Sequence, residues 1–348
     1  MSATTRLPEV IESEAALDEV LTRPSARLVE FMRTLPSPVV ILGAAGKMGP
    51  TLALLARRAA EAAGHRLTVI AVSRFSDDRV RSWLTERGVQ IIACDLLDRR
   101  AVAGLPDAAN VIYLVGLKFG TTTQPARTWA TNILTPALVS EHYARGRIVA
   151  LSTGNVYPLA PFAGAGSAEG DPLTPLGEYS NSCVGRERIF EYYSARNATP
   201  MALIRLSYAV ELRYGVLADI ARRVYAGEAI DVTNSRFQCI WQGDANEMII
   251  RALGLTGVPP FSLNLTSTAL YSIRATALRF GELLGRPVKF SGVEMTTGLY
   301  SNTDRLMARL GGPATPVEAI IRWTAHWIAQ GGRSLNKPTH FEVRDGEY

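Results

Sequence analysis

Within the first 37 residues, apolar positions recur at helical spacing in two short stretches, 17–21 and 26–35, separated by Pro24. The pattern then changes. Val39, Val40, Ile41 and Leu42 form an unbroken apolar run, as a strand covered on both faces requires. Glycines follow, and then a helix is expected over 50–63, with Pro50 in a first turn where its missing N–H costs nothing. Apolar runs of the same kind recur at 67–72, 89–93, 111–115, 147–151 and 201–206, and helical patterns at 129–143 and 184–195 separate some of them. Buried strands alternating with helices predict right-handed crossovers and a parallel, doubly wound α/β sheet. After residue 206 the alternation loosens. Helices are expected at 217–225, 245–252 and 273–284, with one strand-like run at 261–265 that returns to the sheet. The stretch 158–175, rich in Gly, Ala and Pro, reads as a mobile surface loop.

Composition narrows the picture. With 47% apolar and 20% charged residues in 348, the chain is an ordinary globular sequence. Its three cysteines, Cys94, Cys183 and Cys239, lie too far apart in sequence for a disulfide framework or a cysteine-based zinc site. They suit a reducing, cytoplasmic setting. The start of the chain mixes acids with polar residues and shows no apolar leader. The most apolar window, 39–56, is interrupted by Gly43, Gly46, Lys47, Gly49 and Pro50, so no membrane span is expected. A net charge of +5 raises the question of nucleic acid. The basic residues are scattered among acids, as in Arg186-Glu187-Arg188, so no nucleic-acid partner is expected. The four histidines, His65, His142, His326 and His340, have no ligand spacing, and no metal is expected.

The most informative segment is Gly43-Ala-Ala45-Gly46-Lys47-Met48-Gly49, between the first strand and the first helix. Glycines there let the backbone turn tightly and approach a pyrophosphate, and a helix N-terminus supplies free N–H groups and partial positive charge. Strand before, helix after and a second strand about twenty residues on make this a dinucleotide site. The second strand ends in Ser73-Arg74 where an acid would bind ribose hydroxyls. An arginine fork there pairs with a 2′-phosphate, which favours NADP and leaves NAD possible.

These residues carry a resemblance to the extended short-chain dehydrogenase/reductases, the NAD-dependent epimerase/dehydratase family, over about residues 38–330. Cys94-Asp95-Leu96 resembles the acid-plus-apolar pair beside the adenine. Leu114-Val115-Gly116-Leu117-Lys118 resembles the fourth-strand segment passing the cofactor, and Asn132 sits at the family's helix asparagine. Ser152-Thr153-Gly154-Asn155-Val156-Tyr157 resembles the strand carrying the active-site hydroxyl. Glu169, Pro172 and Pro175 match residues before the catalytic tyrosine. Ile204-Arg205, Gln242-Gly243-Asp244 and Asn264-Leu265-Thr266 resemble later landmarks, and Ser207 joins the cofactor set. The apolar pattern gives a helical prefix over 1–37, and together with the resemblance it implies a Rossmann NAD(P)-binding domain over 38–207 and a mainly substrate-binding cap over 208–348, with one strand (about 261–266) in the sheet. The resemblance also implies a homodimer pairing through the helices around 129–143 and 179–195.

The family's chemistry uses Tyr-x-x-x-Lys, whose members share a helix face. The match here is Tyr179-Ser-Asn-Ser-Cys183, so the tyrosine is present and the lysine is a cysteine. Three readings stand. Another cation, Lys118 or else Arg186, replaces the lysine. Alternatively Cys183 is itself chemical, as a thiolate near the nicotinamide. Alternatively the pocket persists without turnover. Lys47 is expected at the phosphate end of the cofactor, and Lys337 in a tail that packs on the cap or reaches a partner. The expected activity is NAD(P)-dependent oxidoreduction or epimerisation of a sugar-like substrate, with Tyr179 as acid/base, Thr153 as its hydroxyl partner and Lys118 as charge substitute. The dehydratase acid pair is replaced by Gly154 and Asn155, which speaks against dehydration. The alternative is a lapsed regulatory or scaffolding protein that binds the dinucleotide.

Overall fold

A computed structural model describes residues 7–118, 120, 123–337 and 339–347. Seven parallel strands form one sheet: β1 (Val39–Leu42), β2 (Val69–Ser73), β3 (Gln90–Ala93), β4 (Asn110–Tyr113), β5 (Arg147–Thr153), β6 (Met201–Leu206) and β7 (Phe261–Leu265). Their spatial order is β7-β6-β5-β4-β1-β2-β3. The order reverses between β1 and β4, which pair from Val39↔Asn110 to Leu42↔Tyr113. In such sheets a crevice opens beyond the strand ends at the reversal point. The Gly43 loop and residues 114–118 both leave the sheet there.

The strands of the middle are apolar throughout because both of their faces are covered. Val39, Ile41 and Ile112 belong to one core layer, and Val40, Leu42 and Val111 to the other. β3 departs from the expected buried run. It is the sheet's edge, and Gln90 and Ala93 are exposed. The helices used below are α1 (Glu14–Thr22), α2 (Ala26–Met32), α3 (Gly49–Ala62), α4 (Glu178–Asn197), α5 (Val216–Ala226), α6 (Gln242–Arg251), α7 (Ile273–Leu284) and α8 (Val317–Ala329). α2 ends three residues before the expected Leu35. α4 begins at Glu178 rather than Val184, so Tyr179 lies in its first turn. The single helix expected over 129–143 is instead a helical turn at Pro125–Trp129, a π-helical turn at Ala130–Leu134 and a helix at Thr135–His142.

α5, α7 and α8 build the cap around a second core that includes Ile220, Phe280 and Trp323. The prefix joins both halves. α1 contributes Leu17 and Leu21 to the cap core, whereas α2 contributes Leu28 and Met32 to the sheet's core. Arg58 of α3 holds Glu19 at 2.7 Å, Ser25 donates to Glu247 of α6 at 2.7 Å, and Trp323 of α8 donates to the Pro8 carbonyl at 2.9 Å.

The 158–175 stretch is not wholly a surface loop. Ala160–Pro161 pairs with Thr297–Gly298, and Ser167 and Glu169 are buried. The Asn264 N–H donates to Glu169 at 2.9 Å, and the Ser167 N–H to the Tyr300 carbonyl at 2.7 Å. Long-range polar bonds, invisible to local composition, pull a Gly/Pro-rich segment inward.

Candidate active site

The glycine loop is shaped by backbone contacts. Gly43 has φ +82°, and a Cβ there would lie 3.0 Å from the Val115 side chain. A Cβ on Gly49 would run into the Ala44 backbone. Gly46 is different: it is exposed, and an added Cβ would meet only the Gly43 carbonyl, at 3.2 Å. The first turn of α3 has no side-chain cap, and Pro stands in it. Its remaining N–H groups, behind an open glycine, form a cradle that fits an anionic phosphate group. Ala45 and Met48 are half-buried beside it.

At the end of β2, Ser73 is half-buried and Arg74 exposed, with no ion pair to Arg74 among the described residues. Asp77 instead holds Arg79 at 3.1 Å. Beyond β3, Leu96 is buried, and exposed Asp95 accepts the Leu97 N–H at 3.1 Å. Asn132, in the π-helical turn, braces the segment after β4. It accepts the Leu117 N–H at 3.1 Å and donates to the Leu117 carbonyl at 3.3 Å and to Ser182 of α4 at 2.8 Å. Leu114, Val115 and Gly116 thus run between the glycine loop and α4. Ser207 follows β6, its N–H bonded to the Leu265 carbonyl at 3.1 Å.

Tyr179 is buried, with Thr153 and Cys183 close enough to its phenol to bear on its proton. Burial pushes this phenol well above its ordinary value. Burial also raises the Cys183 thiol, which is fully enclosed. A buried, protonated thiol is a poor nucleophile, so the structure gives the thiolate reading no support. Two cations reach this pair. The Lys118 ammonium lies 5.9 Å from the centre of the Tyr179 ring, and burial lowers it to about 8. The Arg186 guanidinium is buried and donates to Asn132 at 2.6 Å and to the Leu151 carbonyl at 3.0 Å. It lies against Gly116, where a Cβ would stand 2.7 Å from its Nη2. Its charge opposes the upward push on Tyr179.

The strand under Thr153 is fixed by a buried network. Arg205 pairs with Glu187 at 2.7 Å, donates to the Tyr157 hydroxyl at 2.7 Å and to the Glu169 carbonyl at 3.0 Å. Ser152 donates to Glu187, and Tyr157 donates to Asn264 at 2.8 Å. Removing one partner of such a buried pair strands the other charge, at a cost of roughly 3–5 kcal/mol. A Cβ on Gly154 would run into the Ser207 hydroxyl. Asn155 accepts from the Thr153 hydroxyl at 3.0 Å.

Lys47 lies in the glycine loop just before α3. Its ammonium lies 3.5 Å over the Tyr214 ring of the cap, and burial, with Lys118 and Lys337 nearby, brings it down to about 7. Tyr214, Lys337 and Ser182 carry no local sequence signal, because their partners are distant in the chain.

No group of three or more His, Cys, Asp or Glu side chains suited to a metal gathers among the described residues, and none of the described helices is long and apolar enough to cross a membrane. The sequence has no significant match among curated proteins. Solved structures share the fold. MoeE5 in complex with UDP-glucose and NAD is 19% identical with a TM-score of 0.68, over 85% of this chain and 99% of that one. UDP-glucose 4-epimerase of Thermotoga maritima, with UDP-glucose, is 15% identical with a TM-score of 0.67, over 84% and 99%. dTDP-glucose 4,6-dehydratase of Bacillus anthracis, in complex with NAD, is 14% identical with a TM-score of 0.71, over 85% and 97%. The model of the NAD-dependent epimerase/dehydratase family matches residues 39–255, more than half of the chain. The chain therefore belongs to the NAD-dependent epimerase/dehydratase family, enzymes of the extended short-chain dehydrogenase/reductase type.

Proposed function

We propose that this protein carries out NAD-dependent oxidoreduction or epimerisation at a carbinol or carbonyl carbon of a sugar nucleotide or related sugar-like substrate. The observation that carries this reading is the buried Tyr179 phenol, beside Thr153 and Cys183, with the Lys118 ammonium 5.9 Å from its ring centre and buried Arg186 close by. Bound NAD supplies a hydride acceptor and, once reduced, a donor. The chain does the rest. The uncapped first turn of α3 binds the pyrophosphate, and the 114–118 segment lines the cofactor's path. Thr153 orients the substrate oxygen by a hydrogen bond, and Tyr179 takes its proton as the carbinol is oxidised and returns it on reduction. Tyr179 alone is a poor base at neutral pH, so positive charge must favour its ionised form. Lys118 and Arg186 supply it in place of a lysine at position 183.

NAD is the cofactor named with several of the structural neighbours. The NADP preference expected from Ser73 and Arg74 has no support among them. Hydride exchange tests the reading: NAD-loaded protein is mixed with C4-deuterated UDP-glucose, and deuterium is sought in NADH or at an epimerised carbon. Exchange that is absent in the native chain as well as in Tyr179→Phe, with NAD bound in both, would leave the scaffolding alternative. The neutral Cys183 thiol where the lysine is expected, beside a Tyr179 phenol that burial pushes up, is the observation favouring that alternative.

A further inference from the structure

The segment after α8 does not trail away from the molecule. It runs back over the cap and reaches the helix that carries Tyr179. Thr339 donates to Asp219 of α5 at 2.6 Å, Glu342 pairs with Arg223 at 3.0 Å, and Phe341 is buried in the cap core. Asn234 donates to the Phe341 and Val343 carbonyls at 2.7 and 3.1 Å. Arg344 donates to the Thr297 carbonyl and to Asn234, both at 2.7 Å. Finally Gly346 meets Leu176 and Gly177 backbone to backbone. A Cβ on either Gly177 or Gly346 would collide with the other segment, and both have positive φ, +81° and +83°. Gly177 immediately precedes α4, two residues before Tyr179.

Between this segment and the sheet lies a cavity of about 290 Å³, with Asn155, Tyr157, Leu176 and Ser180 on one side and Val343 and Arg344 on the other. Asn155 is bonded to Thr153, and Ser180 follows Tyr179. The cavity thus neighbours the proposed reaction centre, and the tail forms part of its wall. The tail also lies outside the residues matched by the family model.

We propose that residues 343–346 are a specificity-determining wall of the substrate compartment, limiting the reacting moiety to a single unencumbered sugar ring. Pockets for whole small-molecule ligands run to roughly 300–1,000 Å³, so a cavity of about 290 Å³ is the size of a single sugar moiety. The size limit rests on the sugar reading above; the wall itself does not.

Two measurements test it. Ser180→Cys places a thiol on the cavity wall, and its labelling by a bulky maleimide is compared in the whole chain and in a chain ended after Glu342, which keeps Thr339, Phe341 and Glu342 on the cap. Labelling at least tenfold faster in the shortened chain is expected. Gly346→Val in the whole chain should act in the same direction by unseating the tip. The second measurement is the ratio of kcat/KM for UDP-N-acetylglucosamine to that for UDP-glucose, which should rise about tenfold on shortening. Equal labelling rates overturn the wall, and an unchanged ratio overturns its role in selectivity. If neither sugar nucleotide turns over in any form, the proposed function fails and with it the size limit, while the labelling rates still decide the wall.

Discussion

Lys118 and Arg186 make different predictions, because one titrates in the working range and the other does not. The Lys118 ammonium stands 5.9 Å from the Tyr179 ring centre. With an effective dielectric of about 20, a unit charge at that distance favours the phenolate by about 3 kcal/mol, or roughly two pKa units. Lys118→Met should therefore slow hydride transfer at neutral pH by roughly a hundredfold. The sign with pH follows from its lowered value of about 8: below it the ammonium is charged and helps Tyr179, above it the charge is lost. Single-turnover reduction of bound NAD by a responsive sugar nucleotide should fall on an alkaline limb near pH 8. Lys118→Arg should remove that limb, since a guanidinium keeps its proton throughout. An unchanged profile in both variants would refute Lys118 as the active cation and leave Arg186, already charged and buried against Gly116.

Gly46→Val should abolish measurable NAD binding by calorimetry while leaving the fold intact, because the open face of Gly46 is where the added methyls project. NAD should bind at least as tightly as NADP, and Arg74→Ala should leave NAD binding unchanged; a selective loss of NADP binding of roughly 1.5–3 kcal/mol would restore the 2′-phosphate role for Arg74. Lys47, held near 7 in the free protein, should take up a proton when anionic NADH binds at pH 8, seen as buffer-dependent heats that vanish in Lys47→Met. Gly154→Asp should destabilise the protein by roughly 1–3 kcal/mol in denaturant titrations through overpacking, and Ser207→Gly should recover part of the loss. Light scattering should find a dimer, with exposed Trp129, Leu134 and Tyr192 in the contact.

What was legible in the sequence were features whose cause is local. The run Val39–Leu42, the glycines after it and Pro50 in the next turn fix strand, loop and helix within fifteen residues. The Tyr179–Cys183 substitution also stood out, because four-residue spacing on one helix is a local property. Features set by distant partners were not legible. Glu169 sits in a Gly/Pro-rich stretch, yet Asn264, 95 residues away, draws it into the interior. Lys47 meets Tyr214 of the cap, and no local pattern encodes that approach. β3 reads as apolar, yet its place at the edge depends on the order of the whole sheet. The helix around Asn132 reads as continuous, but the side chain's bonds to Leu117 and Ser182 accompany a wider turn.

The two prefix helices bear on how the chain is made. α1 and α2 leave the ribosome early, yet their partners come late: Trp323 bonds to Pro8 across 315 residues, and Glu247 to Ser25 across 222. During synthesis α3 covers part of their apolar faces early, but the rest stays uncovered until α6 and α8 exist. Contacts of such span slow folding, and exposed apolar helices invite association in the interval. Docking of the prefix is thus a late event, and a nascent chain stalled before α8 should be a better chaperone client than the finished protein.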